Sequence, residues 1–182
     1  MFIDMESYFI ENFIDFELSN IKVRVIKDFR EIEFDEKKYG PFKKDTYIEI
    51  PRALARILAS EQIIEYPMPS VSLMDLKKIL FYETKNKELK KLDNDFYLQV
   101  KDLIYLAEIK KVEYDPKEIK NLMYDICLKR VEKIVQIALY VEDYKKLLDY
   151  LTTEEKYLLE KFNEFLKDWF DNVIDSKYLR RV

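Results

Sequence analysis

The sequence predicts an α+β protein, mostly α, with a small β-rich domain at residues 1–67 and a four-helix domain at 68–182. Three observations carry this. Apolar residues alternate with charged ones in short runs between 21 and 50, the period of a half-buried strand. "PMPS" at 67–70 puts two prolines at one boundary. Beyond it every apolar stripe has helical spacing.

In the first domain, residues 5–15 predict a short helix with Phe9, Ile10, Phe13 and Ile14 on one side. "IKVRVIKDF" alternates Ile21, Val23 and Val25 with Lys22 and Arg24. "REIEF" repeats the alternation through Ile32 and Phe34, "TYIEI" through Ile48 and Ile50, and "QIIEY" adds a fourth strand near 62–66. Between the last two, Pro51 suits a first helical turn because it has no N–H to lose. Ala53, Leu54, Ile57 and Leu58 then mark one helix face over 51–60.

In the second domain, Ser70 or Ser72 can cap a helix after the prolines. The stripes predict helices over about 73–90, 94–111, 116–149 and 152–175. Leu73, Leu76 and Leu80 point inward from the first, and Phe96, Val100, Leu103, Ile104 and Ala107 from the second. The third opens at Asp115-Pro116 and carries Ile119, Leu122, Met123, Ile126, Val131, Ile134, Val135, Ala138 and Val141. The fourth opens on a capping box, Thr152 with Glu155. Its stripe is unusually aromatic, running through Leu158, Leu159, Phe162, Phe165, Leu166, Trp169, Phe170 and Val173.

The third pattern persists for about 45 Å at 1.5 Å per residue, longer than a small bundle covers with its own helices. Two readings of these stripes stand: the core of one molecule, or a subunit interface that continues a core across chains. Arg130 lies on the apolar stripe between Ile126 and Ile134. A charge there requires a partner or loses several kcal/mol. Its own helix offers none at the facing offsets. Either a carboxylate comes from another helix or chain, or Arg130 snorkels from the rim.

Composition removes many chemistries. With no histidine there is no Ser-His or Cys-His pair and no imidazole base. The single cysteine, Cys127, builds no disulfide and no thiolate zinc site. The single glycine, Gly40, allows no phosphate-cradling loop. Catalysis would rest on carboxylates, Lys and Tyr. Adjacent acids such as Asp35-Glu36 and Glu154-Glu155 are expected by number alone among 36 acidic residues. A net charge of −4 is not that of a non-specific nucleic-acid binder. The basic spots at 43–44 and in "KYLRRV" read as solvated surface or as small contacts. "MFIDMESYF" lacks the basic start of a signal peptide, no apolar run approaches a membrane span, and one cysteine fits a reducing interior. A chain of 182 residues buries about 70% of its unfolded surface without metal or disulfide. Abundant Lys, Glu and Ile with scarce Gly and Cys resemble heat-adapted usage.

"YGPFKKDTYIEIPRALARIL" at 39–58 resembles a segment found in subunits of the GINS complex, through Gly40, Pro41, Phe42, Glu49, Pro51, Leu54 and Ala55. "LMYDICLKRVEKI" at 122–134 is similar to that family's long helix, through Leu122, Asp125, Arg130 and Lys133. "MPS" at 68–70 occupies a similar junction. The resemblance implies an archaeal subunit of the class with the β domain first, the partner-of-Sld-five type. It implies a non-enzymatic scaffold that supports the replicative helicase in DNA replication. It also implies a 2+2 tetramer with a helix-first subunit, docking to the MCM helicase and to a Cdc45/RecJ-like protein, a cytoplasmic setting at the replication fork, and no cofactor or metal. On this reading Gly40, Pro41, Phe42, Pro51, Leu54 and Ala55 are structural. Subunit contacts are expected at Arg130, Leu139, Phe162, Phe165, Trp169 and Phe170. The rival readings are a DNA-binding accessory protein using the basic C-terminus and a carboxylate-based enzyme.

Overall fold

The computed structural model describes residues 4–140 and 145–174. The chain divides into two compact units, Met1–Met68 and Pro69–Val182.

The first unit is built on β1, Asn20–Val25. Ile21, Val23 and Val25 are buried while Asn20, Lys22 and Arg24 face solvent, as a two-residue period dictates. β1 is the central strand of a three-stranded antiparallel sheet. On one side lies β4, Tyr47–Pro51, with Ile21 opposite Ile50 and Val23 opposite Ile48. On the other lies β5, Ile64–Glu65, with Val25 opposite Ile64. A separate hairpin pairs β2, Ile32–Phe34, with β3, Lys37–Tyr39. Asp35 and Glu36 form its two-residue turn, both with positive φ (50° and 59°). The acidic pair Asp35-Glu36 is therefore hairpin chemistry, since such turns tolerate Asp in the left-handed region. β3 escapes the sequence reading because Lys-Lys-Tyr has no apolar alternation.

α1, Met5–Leu18, is capped by Asp4, whose carboxylate accepts from Ser7 N–H. It is fastened at its last turn. There Phe16 and Glu17 are buried, Glu17 holds the Arg56 guanidinium at 2.9 Å, and Arg52 stacks over the Phe16 ring. The rest of its apolar side, Phe9, Ile10, Phe13 and Ile14, is exposed.

α2, Arg52–Ser60, corrects two sequence expectations. Pro51 is not in the first turn: it ends β4 and stands before the helix, where its extended ψ of 142° suits a strand-to-helix corner. The buried face is Leu54, Ala55, Leu58 and Ala59, rotated about one residue from the expected stripe, and Ile57 is exposed. Small alanines let α2 approach closely, so they face inward in place of the larger isoleucine.

Gly40 has φ of +108° and is followed by a cis bond to Pro41. A Cβ here would sit 3.1 Å from Glu31 Cα and from the Phe42 ring. Phe42 is buried, its backbone paired with Phe29 through two 2.9 Å hydrogen bonds. The stretch anchors an aromatic core residue. With its one glycine used there, the chain ends two helices on other residues. Gln62 after α2 and Lys110 after α4 both take φ of 56°. In each case the next N–H returns to the helix, Ile63 to Leu58 and Lys111 to Leu106, the closing bond of a Schellman motif.

The second unit comprises α3 (Leu73–Lys85), α4 (Phe96–Glu108), α5 (Pro116–Tyr140), a 3-10 turn at Lys145–Tyr150, and α6 (Thr153–Val173). Capping boxes start α3, through Ser72 and Asp75, and α6, through Thr152 and Glu155. α5 packs against α3, α4 and α6, and α4 presents Phe96, Val100, Leu103 and Leu106 as buried residues. Its core joins Leu76, Ile79, Ile119 and Ile126. A second cluster unites Leu89, Ile134, Leu151 and Leu159.

Helix lengths differ from the expected ranges. The helix expected over 73–90 ends at Lys85, where Asn86 turns extended and its side chain bonds Tyr82 O. The following loop buries Leu89 and Leu92, which continued helix would carry past the core. The second spans 96–108 where 94–111 was expected, the third is described as α over 116–140 with a 3-10 turn at 145–150 overlapping the end of the expected range, and the fourth ends at Val173. Val141 and residues 175–182, with "KYLRRV", lie outside the described residues.

Gly40→Ala is expected to destabilise the protein by more than about 1 kcal/mol in urea unfolding, because alanine resists this φ and its methyl meets backbone. Lys110→Gly should do the reverse, raising stability by up to about 1 kcal/mol by relieving a left-handed lysine.

Candidate functional site

α5 carries a buried charge at the centre of an ion cluster. Arg130 is fully buried, and each of its five N–H groups has an acceptor. Nε and Nη2 grip Glu155 at 2.6 and 2.8 Å. Nη1 donates to Glu83 Oε1 at 2.6 Å and to Lys90 O at 2.8 Å. Nη2 also reaches Tyr150 O at 2.8 Å. The Tyr97 hydroxyl donates to Glu155 at 2.6 Å, and Lys133 donates to Glu83 and to Glu88 O. Two cations and two carboxylates cancel in a buried place. α3, α4, α5, α6 and the 86–95 loop all contribute.

Arg130 thus meets the first of the two sequence expectations, a carboxylate from another helix: Glu83 of α3 and Glu155 of α6. It does not snorkel and does not reach a subunit surface, because its own chain supplies both carboxylates. Burial alone would lower its pKa, but the hydrogen bond and charge of Glu155, with Glu83, outweigh that and hold it above its ordinary value. Burial first, then the Glu155 charge, pushes the Tyr97 phenol well up. Burial likewise raises the Cys127 thiol and the Glu154 carboxyl. Glu155 of the pair Glu154-Glu155 is thus a structural anchor. Among the described residues, no group of three or more His, Cys, Asp or Glu is placed to hold a metal ion. Lys43 and Lys44 are exposed surface residues.

The other named residues lie outward. On α6, burial ends early: Glu155 and Leu159 are buried, Phe162 is half-buried, and every residue from Lys167 to Ile174 is exposed. Phe165 is 60% exposed, Trp169 55% and Phe170 47%. The Phe162 and Phe165 rings meet at a tilt of 50°, their centroids 6.3 Å apart. Leu139 is exposed on α5. It belongs to a row the sequence reading missed: Tyr124, Leu128, Val131 and Leu139 are all exposed, with half-buried Val135 between them. Their spacing of four, three, four and four places them along one side of the helix. α5 therefore has two apolar stripes, one inward through Ile119, Ile126 and Ile134 and one outward. The sequence reading merged them by placing Val131 on the inner stripe. A helical-wheel separation of the two would have found the outer row. Of the other residues matched on α5, Leu122 is half-buried, Asp125 is exposed, and Lys133 belongs to the buried network.

Replacing Arg130 with Met should cost about 3–5 kcal/mol, the usual loss when one member of a buried ion set is removed. Lys133→Met, at the rim of the network, should cost clearly less; urea denaturation of each variant checks both. Folded protein holds the Tyr97 proton above about pH 10, where an unfolded tyrosine releases it. The stability from Tyr97 is thus complete below that pH and falls as pH rises, by about 1.4 kcal/mol per unit. Tyr97→Phe should flatten that part of the alkaline stability profile.

No curated protein matches the chain. The family model described as GINS complex protein helical bundle domain matches residues 70–174, more than half of the sequence and almost all of the described helical unit. The chain belongs to the GINS complex protein family.

Proposed function

We propose that this chain is a non-enzymatic scaffold subunit of a GINS complex, working beside the replicative helicase through its helical faces. Family membership supports a subunit of a DNA-replication complex that associates with other GINS subunits. The observation that carries the scaffold reading is the exposed aromatic half of α6, with Phe165, Trp169 and Phe170 open to water. The outer stripe of α5 adds Leu139 and its row. Such faces are expensive to leave in water, and aromatic residues dominate interface energetics.

The partner proposed is a helix-first GINS subunit, in a 2+2 tetramer of archaeal type, with this chain of the class carrying its β domain first. The domain boundary falls at residues 67–68, and the β domain serves as the smaller docking module. MCM and a Cdc45/RecJ-like protein are the proposed outer contacts at a cytoplasmic replication fork, in a heat-adapted cell. Gly40, Pro41, Phe42, Pro51, Leu54 and Ala55 keep structural roles. DNA contact is indirect. Among the described residues no helix is long and apolar enough to cross a membrane.

Phe165→Glu with Trp169→Glu should abolish the complex with the helix-first subunit in light scattering and leave the melting temperature of the chain within a few degrees. An unchanged complex mass overturns the assignment. Duplex DNA binding that persists at moderate salt would instead favour the accessory-protein reading.

A further inference from the structure

A cleft of about 610 Å³ opens in the helical unit between the 86–90 loop, the end of α5 and the 3-10 turn. Leu89, Ile137, Leu147 and Tyr150 give it an apolar lining, and Lys87 and Lys146 stand at it. Neither lysine has a carboxylate partner among the described residues. Lys133, also at the cleft, is committed to Glu83. Glu88 also lines the cleft, so Lys87 and Lys146 against Glu88 leave the available charge positive by one, beside apolar walls.

α1 has the opposite character. Residues 4–19 contain five acids and no Lys or Arg. Ile10, Ile14 and Leu18 are 51, 48 and 45% exposed and recur every four residues, one row of a helix. Glu11 and Asp15 border that row and have no cationic partner among the described residues. An acid-only helix is repelled by anionic lipid and by nucleic acid. Two such helices laid together would oppose like charges. What complements it is an apolar groove bordered by lysines.

We propose that α1 of a second copy of this chain occupies the Lys87–Lys146 cleft, with the Ile10–Ile14–Leu18 row inward and Glu11 and Asp15 against the lysines. This is helix-in-groove recognition read at i and i+4. A volume of about 610 Å³ suits two or three anchoring side chains, not a whole helix. Reciprocal exchange of α1 between two copies would make a two-fold dimer. The contact does not depend on the helix-first subunit and is tested without it.

The probe is a fluorescein-labelled peptide of residues 4–19, titrated with the full chain and followed by anisotropy, alongside sedimentation of the chain over a range of concentrations. Saturable binding is expected, weakened at least tenfold by Lys87→Glu with Lys146→Glu in the protein or by Glu11→Lys with Asp15→Lys in the peptide. Combining both reversals should restore it, which a folding defect cannot do. The wild-type chain should show a monomer–dimer equilibrium that the protein double variant loses. No binding, or binding indifferent to either reversal, overturns the proposal. So does a chain that stays monomeric at all concentrations while the charge swap still restores thermal stability, because that places the docking within one molecule.

Discussion

The helical unit depends on one buried guanidinium. Arg130 is surrounded by acceptors from three directions, and its planar fork leaves none of its five donors free to choose another arrangement. A buried ion set of this kind is a poor source of net stability. Its consequence is geometric. Glu155 is held by Arg130 and Tyr97 and also closes the capping box with Thr152, so the start of α6 is fixed where the charge requires it. The capping box and the ion cluster share the same carboxylate. Helix initiation and tertiary placement are therefore one event.

That placement governs the surface. Once α6 begins at Thr153, its first two turns reach the core through Leu159 and its later turns do not. The aromatic side chains follow in the second half, where the bundle has no more interior to offer. α5 behaves in the same way along its length, using one stripe for the core and presenting another outside. Among the described residues, the helical unit thus buries one stripe of α5 and the first turns of α6 and leaves further apolar side chains of both helices exposed.

Much of this was legible in the sequence. The period-two runs found β1 and β4, and the proline pair found the change to helix. The capping box at Thr152 was readable because it is local chemistry. The need of Arg130 for a carboxylate followed from its position on an apolar stripe. Which carboxylates would answer did not, since Glu83 and Glu155 lie 47 and 25 residues away. No short-range pattern encodes that pairing. The rotated face of α2 was missed because hydrophobicity ranks Ile57 above Ala55, whereas close approach favours the smaller residue. The hairpin strand β3 was missed because its residues are all polar or amphipathic and its turn, Asp35-Glu36, lacks the glycine that usually announces one.

Trp169 is the only tryptophan in the chain, and it sits in the face assigned to subunit contact. Acrylamide quenching of its fluorescence therefore reads the central claim directly. The account expects efficient quenching and red-shifted emission in the chain alone, then protection and a blue shift when the helix-first subunit is added. An indole already shielded in the isolated chain, or one quenched equally in the complex, would contradict it.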